Sequence, residues 1–387
     1  MPQIPSRLGY LATESAMDVL VKARAVEARG RKVIHLEVGE PDFPTPEHIV
    51  EAGVRALRAG STRYGPPGGL PALREAICEH LVERGVIARP EHVMVMPGTK
   101  PVLFHAFLAT LSPGDEALIP DPAFPVYASM TRYLGATPIS IPPRLDQGRA
   151  LDVDALERAI TPRTRLIVFN SPSNPTGAVV PLEDLRRIAA LAHRHDLWVL
   201  ADEIYRHIRY ADAAPSIASL PGMLERTLIA DGFSKAYAMT GWRLGWGLFP
   251  AALAPHAIRL IINSFTCTAS FVQEAGVAAL RGPQEVVDRM VAQFHKRRDV
   301  ISSLLSKIPG IRCPAPAGAF YAFPDVRALR LPASALADRL LEEEGVALVD
   351  GAGFGEGGSG HLRLSFASSL ENLEEAAAGL SRLVSRL

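Results

Sequence analysis

Between residues 93 and 248 the chain repeats one pattern. A short apolar run is followed by a loop opening on Pro, Asp or Asn, and then by a longer stretch with apolar residues at helical spacing. The apolar runs cover 93–96, 117–119, 166–169, 198–201, 228–230 and 244–248. They do not alternate with polar residues, so each predicts a strand covered on both faces, in a mostly parallel sheet flanked by helices. Ahead of this unit, Met17, Leu20, Val21 and Ala25 mark an amphipathic helix over 17–29, and 33–38 reads as a strand closed by Gly39, Glu40, Pro41 and Asp42. Beyond residue 285 the pattern changes. A charged helix over 286–306, strands at 319–323 and 361–366, and an amphipathic helix over 370–387 form an α+β unit that the N-terminal 45 residues can join. The glycine-dense stretch 351–360 is short and reads as a mobile loop.

With 387 residues, 48% of them hydrophobic, the chain has room for a large core and for two domains. Its 41 basic and 41 acidic residues balance, which leaves no basic footprint for nucleic acid and no polybasic segment for a membrane. No helix-turn-helix segment or basic arm precedes residue 30. Small molecules are the expected partners. Cys78, Cys267 and Cys313 are scattered, without a CxxC or Cys/His cluster, so neither a disulfide framework nor a metal site is expected. With no signal-type apolar core at the N-terminus and no run of about 18 apolar residues, a cytoplasmic protein is expected.

The strand ends carry the candidate chemistry. Lys235 is one of six lysines and stands just past the 228–230 run, beside Asp231 and Gly232. It is either a solvated surface residue or a reactive amine; Arg243, eight residues on, can fold back to place a fixed cation near it. A lysine beside an anion site suits a Schiff base with a phosphorylated aldehyde. Gly98, Thr99 and Lys100 follow the 93–96 run, either as an ordinary capped turn or as a helix start binding an anion. Phe124 follows 117–119 and is either core or a ring that lies flat on an aromatic ligand. Asn174 lies in SPSNPTG after 166–169, a turn signal or an amide donor. Asp202 and Tyr205 follow 198–201. A carboxylate there is either a helix cap or the partner of a protonated ring nitrogen, because an unpaired charge is costly to bury. Arg363 lies in a predicted strand, as a solvated residue or as a fork for a carboxylate.

The segment Gly232 to Gly245, GFSKAYAMTGWRLG, resembles the pyridoxal-phosphate attachment signature of class I and II aminotransferases, and further matching segments run from Gly39 to Arg363. The resemblance implies a fold type I pyridoxal-phosphate enzyme: a large domain over 46–284 with a mostly parallel central sheet, and a discontinuous small domain of 1–45 and 285–387. It implies an aminotransferase using pyridoxal 5'-phosphate, with Lys235 holding the cofactor and moving the proton, and Asp202 on the ring nitrogen. By the same resemblance Phe124 stacks on the ring, Asn174 and Tyr205 hold its oxygen, and Gly98, Thr99, Ser234 and Arg243 hold the phosphate. Arg363, helped by the Gly39 backbone, grips the substrate carboxylate, and Lys100 reads a second carboxylate, favouring glutamate with 2-oxoglutarate, or aspartate. Tyr64 reaches the phosphate of the other subunit, which implies a homodimer. Cis peptide bonds are expected before Pro122 and Pro175. An elimination or replacement enzyme with the same cofactor is the alternative, since loops choose the outcome. Two departures stand out. Gly232 takes a place where the family often has a hydroxyl residue, implying a weaker hold on phosphate, and the stretch 12–19 (ATESAMDV) differs from acidic-substrate members.

Overall fold

The computed structural model describes residues 3–11, 14–210 and 214–387; residues 12 and 13 of the atypical N-terminal stretch lie outside them. A seven-stranded sheet organises the middle of the chain: β2 (Val93–Met96), β3 (Glu116–Pro120), β4 (Thr137–Ile141), β5 (Thr164–Asn170), β6 (Trp198–Asp202), β7 (Thr227–Gly232) and β8 (Gly245–Leu248), in the order β2-β8-β7-β6-β5-β3-β4. Only β8 runs antiparallel to its neighbours. Period two sorts the side chains of each strand. Met94 and Met96 pack beneath the helices Thr99–Thr110, Val126–Tyr133 and Ala254–Ser264, while Val93 and Val95 face Pro71–Val82 and Ser270–Arg281. The helices Val153–Ala159 and Leu182–Arg194 cover β5 and β6 on that second side. Both faces are therefore dry, which is why the strands lack alternation.

Six of the seven strands match the apolar runs; β4 has no counterpart among the expectations. It lies at the sheet edge, carries Pro138 and is partly exposed, so neither an apolar run nor strict alternation marks it. A second core gathers the chain ends. β1 (Ile34–His35) pairs in parallel with β10 (Val346–Ala347), and β11 (Val349–Asp350), β12 (Leu362–Ser365) and β9 (Tyr321–Ala322) form an antiparallel sheet. The helices Glu285–Ser306, Ala333–Arg339 and Leu370–Val384 cover it. Ile204, Tyr205 and Ile208, which follow β6, pack into this second core and not into the first. The glycine-dense stretch, expected as a mobile loop, forms two 3-10 turns, Gly351–Phe354 and Glu356–Gly358. Asp121 holds it by accepting from the Gly357 N–H at 2.9 Å, while Phe354 O accepts from the Ala123 N–H at 2.9 Å. The bonds before Pro122 and Pro175 are cis, and so is that before Pro172.

Candidate active site

The C-terminal ends of β2, β3, β5, β6 and β7 lie on one edge of the sheet, where α/β folds place ligands. There they line a cavity of about 450 Å³, closed on its far side by residues 14–17, Val38, Gly39, Glu40, Tyr321, Phe354 and Arg363. Lys235 projects into it from the turn after β7, and its Nζ donates to Gly39 O at 2.5 Å. Enclosure pushes this amine down to about 8; Glu40 and Glu14 oppose the shift, and the cations Arg363 and Arg243 add to it. A lysine at that value is partly neutral near physiological pH, the form that attacks carbonyls.

Asp202 faces the same cavity from the end of β6. Tyr127 donates its hydroxyl to Oδ2 at 2.7 Å and the Ile204 N–H donates to Oδ1 at 3.2 Å. Burial pushes the carboxyl up to about 7 against those two hydrogen bonds, and Asp231 and Glu203 add to the rise. An aromatic nitrogen that carries a proton is the partner such a group lacks. Tyr127 was not foreseen: nothing in the sequence separates it from a core tyrosine, and only the helix Val126–Tyr133 aims it across to β6. Phe124, half-buried on the cavity wall, meets Tyr127 edge-on at 5.9 Å.

Asn174 is fixed through its backbone, whose N–H donates to Asn170 Oδ1 at 2.7 Å, while Asn170 Nδ2 donates to Asp202 O at 2.9 Å. The Asn174 side chain lines the cavity with its Oδ1 buried and unpartnered. Tyr205 and Tyr321 share a hydrogen bond at 2.7 Å between their hydroxyls, both on the cavity wall. Tyr321 was also not foreseen, since it falls within a run that reads as ordinary strand. It explains Gly39: a Cβ there would lie 1.9 Å from the Tyr321 hydroxyl.

At another corner Thr99, Ser234 and Arg243 line the cavity. Gly98 has φ 96° and starts the helix Thr99–Thr110, and a Cβ on it would lie 2.1 Å from Arg243 Nη2. The glycine thus lets a guanidinium approach the exposed N–H groups of the helix start. A cation at a helix N-terminus is unfavourable unless an anion joins it, so this corner is built for one. Gly232, in place of the hydroxyl residue often found there, has a packing reason: a Cβ would lie 2.7 Å from Thr99 Oγ1 and 2.9 Å from Gly245 Cα.

Arg363 is 3% exposed, which rules out the solvated reading. Its guanidinium sits 4.7 Å over the Tyr321 ring and 5.1 Å from that of Phe354, and its Nη2 donates to Glu37 O. Its Nε has no partner, and it forms no ion pair among the described residues. Lys100 differs. It is half-exposed at the cavity rim, ion-paired with Glu14 and 5.7 Å over the Phe124 ring, so a carboxylate of the chain itself already occupies it. Tyr64 is 88% exposed and does not line the cavity of its own chain. Among the described residues no helix is long and apolar enough to cross a membrane, and no cluster has the ligands for a metal.

Known proteins resemble this chain over nearly its whole length. The family described as aminotransferase class I and II matches residues 31–380. An aspartate/prephenate aminotransferase of Cereibacter sphaeroides is 40% identical, over 98% of this chain and 98% of that protein. An arginine–pyruvate transaminase of Pseudomonas aeruginosa is 36% identical, over 96% and 95%. Among solved structures, the aspartate aminotransferase of Thermus thermophilus with maleate superimposes with a TM-score of 0.94 at 37% identity, covering 99% of this chain and 100% of that one. Members of the family depend on pyridoxal phosphate, and the anion corner, the buried Asp202 and the depressed Lys235 fit that group. The chain belongs to the class I and II aminotransferases, as a pyridoxal-phosphate-dependent transaminase of the fold type I architecture.

Proposed function

We propose that the enzyme exchanges an amino group between an L-amino acid and a 2-oxo acid at this cavity, with a dicarboxylic pair, glutamate and 2-oxoglutarate or aspartate, as one half of the reaction. The observation that carries the site is the convergence of an enclosed lysine, a buried carboxyl and a buried arginine without an ion-pair partner on one cavity. Bound pyridoxal phosphate would supply the electron sink that lets a Cα proton leave. Gly98 and Thr99 with their helix N–H groups, Ser234 and Arg243 would hold its phosphate, Phe124 would stack on the ring, and Asn174 and Tyr205 would hold its oxygen. Asp202 would pair with its ring nitrogen and favour the protonated form. Lys235 Nζ would hold the cofactor and would move the Cα proton of the substrate. Arg363 binds the α-carboxylate, two charged groups meeting in a low-dielectric wall. Lys100 binds a distal carboxylate after releasing Glu14. Tyr64 completes the phosphate site of a second copy in a homodimer, and residues 46–284 form the large domain, with 1–45 and 285–387 as the discontinuous small one.

The test is an absorbance titration of the loaded enzyme with glutamate, aspartate, alanine, arginine and phenylalanine, followed by assay of paired oxo-acid and amino-acid products. Conversion with glutamate or aspartate that is stoichiometric in oxo acid supports the assignment. Ammonia or thiol release without a paired amino acid would show elimination, and conversion of the monocarboxylic donors alone would remove the dicarboxylic partner.

A further inference from the structure

We propose that Arg84 is a positioning residue for the reaction: from behind the cavity its guanidinium ties together the two strand ends that carry Asp202 and lead to Lys235, and balances the two carboxylates beside them. Arg84 follows the helix Pro71–Val82 and is buried. One nitrogen spans both strands. Arg84 Nη1 lies 2.9 Å from Glu203 Oε2 and 2.6 Å from Asp231 Oδ2. Glu203 is the residue after Asp202, so alternation turns it away from the cavity that Asp202 faces. Asp231 sits at the end of β7, four residues before Lys235, and its Oδ1 accepts from the Gly232 N–H at 2.6 Å. Its backbone O accepts from Thr99 Oγ1 at 3.1 Å, which joins the same point to the anion corner.

The other groups facing Arg84 leave it as the principal counter-charge. Ser216 donates to Glu203 Oε1 at 2.6 Å, and Arg206 Nε stands 3.9 Å from Glu203 Oε2. His80 Nε2 is 2.9 Å from Arg84 Nη2, with His207 stacked on its ring and Tyr237 beside that; Glu83 reaches His80 Nδ1 at 3.4 Å from the surface. Burial pushes His80 down to about 3 and His207 well below its ordinary value, so both imidazoles are neutral. Trp246 lies under the guanidinium at 5.5 Å. Neither Arg84, Glu203 nor Asp231 lines the cavity, so none touches a reacting atom. Without Arg84 two carboxylates would face each other in a dry pocket, with only the more distant Arg206 nearby. The surplus negative charge, one residue from Asp202, would strengthen proton binding in the site, and the two strand ends would spread.

The experiment rests on the aminotransferase assignment and compares Arg84→Met, Arg84→Lys, Glu203→Gln and Arg84→Met/Glu203→Gln, each loaded with pyridoxal phosphate. A parent enzyme that fails to take the cofactor would defeat the assignment and not this inference. Arg84→Met is expected to lower kcat by on the order of tenfold to a hundredfold, the size of effect that small misplacements produce, with little change in KM because Arg363 is untouched. The midpoint of the cofactor's absorbance titration should move to higher pH. Arg84→Lys should recover part of both changes, and adding Glu203→Gln should recover most, since it removes the uncompensated charge. Glu203→Gln alone should move the midpoint to lower pH. Parental kcat and midpoint in Arg84→Met, whether or not its Tm falls, would overturn the proposal. If that variant does not fold, an unmoved midpoint in both Arg84→Lys and Glu203→Gln overturns it.

Discussion

The titration of Lys235 is set by the fold, and its size can be worked from the surroundings. An ordinary lysine titrates near 10.5, whereas enclosure brings this one down to about 8. At pH 8 half of the amine would be neutral, against about 0.3% of an ordinary lysine, a ratio on the order of 150. Only the neutral amine attacks a carbonyl. Cofactor-free protein mixed with a small uncharged aldehyde, trapped with borohydride and read by peptide mass, should label Lys235 far faster than the other lysines. The sign follows from the amine: protonated and inert below its midpoint, free and reactive above it. The rate should therefore climb with pH and pass half its maximum near 8. The flanking charges give a second check. Arg363 pushes the amine down and Glu40 pushes it up, so Arg363→Met should move the midpoint to higher pH and Glu40→Gln to lower. A midpoint near 10.5, or both substitutions shifting it the same way, would refute the account.

Three further outcomes are expected. Asp202→Asn should keep cofactor bound yet lose several orders of magnitude in kcat, because an amide cannot hold a ring nitrogen protonated; a rate within about tenfold of the parent contradicts the role. Gly98→Ala places a Cβ 2.1 Å from Arg243 Nη2 at φ 96°, a strain of about 1–3 kcal/mol, so the Kd for pyridoxal phosphate measured by equilibrium dialysis should rise by roughly tenfold or more, and an unchanged Kd would remove Gly98 from the phosphate corner. Glu14→Gln frees Lys100 and should lower KM for glutamate and aspartate, while Lys100→Ala should raise it, alanine being unaffected by both; equal effects on alanine would show that the pair does not read the side chain.

Local chemistry wrote much of this site into the sequence. The apolar runs that end at Met96, Ile119, Phe169, Ala201 and Ala230 mark buried strands. The residues just past them, among them Thr99, Phe124, Asn174, Asp202 and Lys235, then share one sheet edge, because parallel strands bring their C-terminal ends together. Punctuation by Gly, Pro and Asp is equally local, so the positions of those turns could be read directly. What sequence could not decide is which polar groups meet across long separations. Tyr127 reaches Asp202 from 75 residues away, Arg84 reaches Glu203 from 119, and Tyr205 finds Tyr321 from 116. Tyr127, Arg84, Glu203 and Tyr321 each read alone as an unremarkable core or surface residue. The placement of Ile204 and Tyr205 in the second core, the burial of Arg363 between Tyr321 and Phe354, and the tethering of 351–360 by Asp121 likewise depend on packing between distant segments. Periodicity tells a strand which face to bury, but the partner of a buried charge is chosen only when the whole chain has excluded water from it.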